Sequence, residues 1–179
     1  KSNIKKGDVL GKLEVYYDKE LIKSKEIVSN TVEGGIHRYT YFDWGKRTKK
    51  LANALKSLNL PYNSEVIIPA MTYCSTAFSV IEANLNPVLV DTEKMGSTID
   101  IKELKKKITS KTKVIMPVHL YGSTANLNEI KKLINKKKIY LIDDCSQAHG
   151  AIDDSNLNKK KIGSTTDISC FSLYPGKNL

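Results

Sequence analysis

The sequence predicts an α/β fold: a mainly parallel sheet flanked by helices. Three observations carry this expectation. Short β-rich apolar runs recur at residues 66–68, 88–90, 114–118 and 139–142, with a weaker one at 168–173. Amphipathic stretches at 75–83, 101–108 and 127–134 lie between the first four runs. The spacing is that of strand–helix–strand units, which build a parallel sheet covered on both faces.

Taken in order, residues 1–62 show few clear apolar periods before Leu51. Leu51, Ala54, Leu55 and Leu58 then mark one face of a helix. Strand–helix alternation begins beyond residue 62, which divides the chain into an N-terminal segment, 1–62, and a core, 63–179. In the core, Leu127, Ile130, Leu133 and Ile134 repeat at the spacing of a buried helix face. The Asn- and Lys-rich stretch 153–161 reads as a surface excursion.

Composition narrows the function classes. The chain has 179 residues, enough for one domain with a small appendage. Its net charge of +10 would suit an anionic partner, or simply a solvated lysine surface. The lysine runs at 105–107, 136–138 and 159–161 are short and carry no interleaved aromatics. That pattern favours the solvated surface and speaks against nucleic acid as a partner. Cys74, Cys145 and Cys170 form no C-x-x-C pair, so neither a disulfide framework nor a zinc site is expected, and a reducing cytoplasm fits. No apolar run is long enough for a membrane helix, and the first residues lack a signal-peptide core.

Ligands of parallel sheets bind at the carboxyl ends of the strands. Residues 71–73, Asp144, Gln147, Ser172 and Lys177 fall at or just beyond predicted strand ends. The blocks that hold them are EVIIPAMTY at 65–73, NPVLVD at 86–91, TKVIMPVHLYG at 112–122, LIDDCSQAHGA at 141–151 and CFSLYPGKNL at 170–179. In this order and spacing they resemble the DegT/StrS group of nucleotide-sugar aminotransferases, over about residues 64–179.

The resemblance implies a partial large domain of the pyridoxal-phosphate (PLP) fold type I. It implies transfer of an amino group from glutamate or glutamine to a keto-sugar nucleotide, and a homodimer when the protein is complete. Lys177 would form the imine with the cofactor aldehyde and shuttle a proton. Asp144 would pair with the pyridine nitrogen, Gln147 would contact the ring hydroxyl side, Tyr73 would stack on the ring, and Ser172 would hold the phosphate. His119 and His149 would pack near the site. Some relatives carry histidine at the lysine position and act as dehydratases; Lys177 favours amino transfer.

Two departures stand out. The family's Ser-Gly-Thr turn, which caps the phosphate at a helix start, corresponds to Lys46, Arg47 and Thr48. Thr48 matches the threonine and is a further candidate cofactor contact; Arg47 adds a Cβ where glycine would allow close approach. Residues 32–60 also resemble the N-terminal region of acyl-CoA synthetases and other adenylate-forming enzymes. A mosaic or non-catalytic fragment that keeps part of the PLP site is therefore an alternative, as is a fragment of an adenylate-forming enzyme. The chain ends two residues after Lys177, short of the family's remaining domain.

Overall fold

The computed structural model describes residues 9–17, 20–28, 41–155 and 159–172. It separates into two units, Lys1–Thr40 and Tyr41–Leu179. Within the first, β1 (Val9–Tyr17) and β2 (Glu20–Val28) pair antiparallel, with Val15 opposite Lys23. Leu13, Val15 and Tyr17 alternate with Lys12, Glu14 and Tyr16 along β1, a period-two pattern that the sequence reading did not pick out.

The second unit is built on five parallel strands: β3 (Glu65–Pro69), β4 (Asn86–Val90), β5 (Thr112–Ile115), β6 (Tyr140–Asp144) and β7 (Ile168–Cys170). Their order is β4-β3-β5-β6-β7. The helices are α1 (Tyr41–Ser57), α2 (Ser75–Glu82), α3 (Ile101–Lys107) and α4 (Leu127–Ile134). The expected pairing of the 114–118 and 139–142 runs is present, with Val114 opposite Tyr140 and Ile115 opposite Leu141.

Strand periodicity explains the layers. Successive side chains point to opposite faces, so Val66 and Ile68 leave one side of β3 and Ile67 the other. Val66, Ile68, Val114, Met116 and Ile142 pack with Leu51 and Leu55 of α1 and Val80 of α2. Ile67, Ile115 and Leu141 pack with Leu104 of α3 and Leu127 and Ile130 of α4. The sheet is thus buried on both faces, which is why its strands read as continuous apolar runs. Truncating a fully buried residue such as Ile67 to Ala costs about 2–5 kcal/mol.

Helix starts follow local chemistry. Asp100 Oδ1 accepts from the Lys102 and Glu103 amides, and Asn126 Oδ1 from the Glu129 amide. The Glu103 amide in particular holds the Asp100 carboxyl below its usual range. The lysines at 105–107 fill the last turn of α3, where cations favour the helix dipole.

The boundary expected near residue 62 moves to Thr40. Leu51, Ala52 and Leu55 are fully buried, and the two leucines pack on β3, so α1 belongs to the sheet unit. The strand expected over 114–118 stops at Ile115. Pro117 has no amide to donate, and pairing resumes as a single bridge between Val118 and Asp144. In the 153–161 stretch, Lys159, Lys160 and Lys161 are exposed but Asp153 is buried, and Ile152 bridges to Lys161.

Candidate active site

After β3 the chain moves to β4 on one side; after β5 it moves to β6 on the other. The carboxyl ends of β3 and β5 therefore flank a topological switch point, where parallel sheets bind ligands. Asp144 ends β6 beside this crevice. It is 4% exposed, and its two oxygens are held by different elements. Oδ2 accepts from the Thr76 hydroxyl at 3.1 Å, and Oδ1 accepts from the Ser146 amide at 3.1 Å. Among the described residues Asp144 has no ion-pair partner. A buried carboxylate without a cation is costly, and each oxygen retains acceptor capacity for a charged donor.

Tyr73 lies between β3 and α2 with its side chain 40% exposed, and its carbonyl accepts from the Thr76 amide. Thr76 thus links the turn that carries Tyr73 to Asp144. Ser172 is buried two residues beyond Cys170, the β7 partner of Asp144. Phe171 beside it lies against Gly163: a Cβ there would sit 2.5 Å from the Phe171 ring, and the glycine φ is +86°. The His149 ring packs against Phe171 at 5.3 Å.

Gln147 is oriented by a neighbouring loop. Leu120 to Ser123 form a tight turn closed by the Ser123 amide on the Leu120 carbonyl. Tyr121 and Gly122 have φ of 55° and 80°, the left-handed pair of a type I′ turn. A non-glycine residue there costs about 1–2 kcal/mol. Its amide donates to Gln147 Oε1 at 3.0 Å. Among the described residues the Gln147 side-chain NH2 has no hydrogen-bond partner.

Thr48 does not sit in a helix-opening turn. Lys46, Arg47 and Thr48 lie inside α1, which begins at Tyr41. Only the first four amides of a helix are free, so the expected phosphate cap at these positions is not formed. The Thr48 side chain is buried. Lys177 lies outside the described residues.

Asp143, on the opposite face of β6 from Asp144, is fully buried with His119 and Cys145. Their ligating atoms lie within 4.8 Å of one another, a composition that suits a metal. The hydrogen bonds argue otherwise. His119 Nδ1 accepts from the Ala125 amide, which puts the ring hydrogen on Nε2. Nε2 is then a donor, 3.5 Å from Asp143 Oδ1, rather than a free ligand. Asp143 Oδ2 accepts from Thr166. Burial, and then the Asp143 and Asp144 carboxylates, push the Cys145 thiol well above its usual range, so it remains protonated.

Sequence reasoning missed Thr76, Ser146 and Tyr121. A hydroxyl in the first turn of α2 and a Tyr-Gly turn after β5 were the available signals; neither says what it touches.

A buried acidic group at the switch point of an open parallel α/β sheet defines a ligand-binding α/β domain. The DegT/DnrJ/EryC1/StrS aminotransferase family profile matches residues 46–179, and the chain belongs to that family. It is 39% identical over 132 residues to a UDP-N-acetyl-3-dehydro-alpha-D-glucosamine 3-aminotransferase of Acidithiobacillus ferrooxidans, covering 74% of this chain and 35% of that protein. The fold is similar to DesV of S. venezuelae, with TM-score 0.68 and 33% identity over 74% of this chain and 34% of that one. It is also similar to the PLP form of a protein described as a sugar aminotransferase of Streptococcus pneumoniae, with TM-score 0.67 and 28% identity over 73% and 36% of the two chains. The architecture is part of a PLP fold type I large domain. The chain spans about a third of the length of the curated relatives it matches. Residues 46–60, the later part of the 32–60 segment that resembled adenylate-forming enzymes in sequence, fall within the aminotransferase match.

Proposed function

We propose that this chain is the cofactor-binding part of a PLP-dependent aminotransferase that moves an amino group from glutamate or glutamine to a keto-sugar nucleotide. The carrying observation is Asp144: a buried carboxylate at the switch point, clamped by Thr76 and Ser146, without a cation among the described residues. These residues fit a ligand that presents a protonated ring nitrogen. PLP bound there would supply an aldehyde that captures amines and a ring that withdraws electrons from the attached carbon.

The residues divide the work. Asp144 would hold a proton on the ring nitrogen by setting a carboxylate against it. The half-exposed Tyr73 offers an aromatic face. The free NH2 of Gln147 donates to an anionic ring oxygen. Ser172 offers a hydroxyl to the phosphate. Lys177 would supply the amine for the cofactor aldehyde and would be the group that moves a proton at the substrate carbon. The keto-sugar assignment draws on the relatives, one of which is by name an aminotransferase of a UDP-linked dehydro sugar. We further read the whole protein as a homodimer, as the family resemblance implies, and as cytoplasmic, as its cysteine pattern suggests. Among the described residues no helix is long and apolar enough to cross a membrane.

The test is spectroscopic. PLP added to the chain should give a visible-region absorbance band, and borohydride should fix the cofactor on Lys177, located by peptide mass spectrometry. Lys177→Ala should lose both signals. A folded wild-type chain that gives neither at saturating PLP would sink the reading. For the complete protein, glutamate or glutamine together with a UDP-linked keto sugar should yield the amino sugar.

A further inference from the structure

We propose that Thr76 is a positioning residue for Asp144 and that Thr72 holds Thr76 in turn; this rests on the cofactor reading above. Thr76 is fully buried in the first turn of α2, and its hydroxyl reaches Asp144 across 68 positions of sequence. A carboxylate only accepts, so the single Thr76 hydrogen goes to Asp144 Oδ2. The Thr72 hydroxyl lies 3.0 Å from the Thr76 oxygen and must therefore donate to it. The relay has one direction: Thr72 to Thr76 to Asp144.

The need for it follows from side-chain geometry. Strand β6 fixes the Asp144 backbone, but the last torsion of an aspartate is broad and roughly two-fold. The Ser146 amide holds Oδ1 from the loop after β6, and Thr76 holds Oδ2 from α2. Two donors on different oxygens, from different elements, fix the carboxylate plane. A ring nitrogen needs an oxygen placed along its N–H direction, and a charge-assisted hydrogen bond weakens steeply when bent. A threonine inside a helix can turn its hydroxyl back to the carbonyl four residues earlier. Thr76 directs its hydrogen to a carboxylate instead.

The test compares PLP with an analogue that carries carbon in place of the ring nitrogen. Thr76→Val keeps the volume and removes the donor. It should weaken PLP binding roughly tenfold, the scale of one charge-assisted hydrogen bond. Thr76→Ser should restore most of that affinity. The analogue should bind wild type and Thr76→Val equally, because it has no N–H to aim at Asp144. In an Asp144→Ala background, Thr76→Val should add no further loss. Equal losses for both ligands, or additive losses in the double variant, would show that Thr76 merely packs and would overturn the proposal. If Thr76→Val does not fold, Thr72→Val cuts the relay one step earlier and should give a smaller loss with the same dependence on the ring nitrogen; no such dependence would overturn it. Wild type binding neither ligand would mark the failure of the cofactor reading itself, a result distinct from every Thr76 outcome.

Discussion

At the amino edge of the sheet, Glu65 Oε2 accepts hydroxyl hydrogens from Thr109 and Thr112. Thr112 also caps the Thr109 amide, and the Thr109 hydroxyl accepts from the Lys111 amide. At the carboxyl edge, buried groups are left partly satisfied. Asp144 has two donors but no cation, and His119 Nε2 and Asp143 Oδ1 have no full hydrogen bond among the described residues. One edge closes its polar groups on one another, as structural polar groups do. The other keeps open valences where parallel sheets bind ligands. The strained Tyr121 turn lies at this second edge as well.

Four changes test that contrast, from the largest expected effect to the smallest. Asp144→Ala should weaken PLP binding by roughly 100-fold or more, about 3 kcal/mol, because the ring nitrogen loses its only counter-charge. The unliganded chain should lose less stability than this, since removal of a buried charge offsets the acceptors that Thr76 and Ser146 lose. A parallel loss of stability in urea unfolding would break the distinction between the edges. His119→Ala should lower unfolding free energy by about 2–3 kcal/mol, because it leaves the Ala125 amide without its acceptor and deepens the isolation of Asp143. An unchanged urea midpoint would count against that role.

Cys145 gives a pH test. Burial raises its folded-state value, with the neighbouring carboxylates second, so the unfolded thiol loses its proton first. The folded state then binds more protons, and stability falls as pH rises above the ordinary thiol value of about 8.5. The slope approaches about 1.4 kcal/mol per pH unit at most, and Cys145→Ala should remove it. A flat profile between pH 8 and 10 in wild type would contradict the burial argument. Glu65→Gln is the smallest change. It keeps an acceptor for both threonines, so unfolding should shift by no more than about 1 kcal/mol and PLP affinity should not move. An effect on PLP affinity would show that the amino edge also serves the ligand.

Much of the fold was legible. The expected helix at 127–134 matches α4 residue for residue, and α2 and α3 each end one residue earlier than read. All five strands fall on the expected apolar runs, because a sheet buried on both faces needs apolar residues at every position. The hairpin of β1 and β2 was harder to read, since charged residues alternate through both strands. Of the candidate site, Asp144 and Ser172 were legible as polar residues ending or following apolar strands, and both are buried at the carboxyl edge. The phosphate cap assigned to Thr48 followed a motif alignment, and alignment does not reveal where a helix begins. Here α1 starts seven residues earlier, which closes those amides into the helix.

The sequence by itself determined the elements, since periodicity is a property of local covalent geometry: every second residue for a strand, every third or fourth for a helix. It also determined that a carboxylate ends β6. The tertiary structure decided what that carboxylate meets. The strand order β4-β3-β5-β6-β7 brings the start of α2 to the end of β6, so Thr76 and Asp144 touch across 68 residues. It likewise set the Tyr121 turn against Gln147 and placed α1 with the sheet rather than with the N-terminal segment. No local pattern encodes these contacts, because each depends on which strands become neighbours, and that is settled by burying both faces of the whole sheet at once.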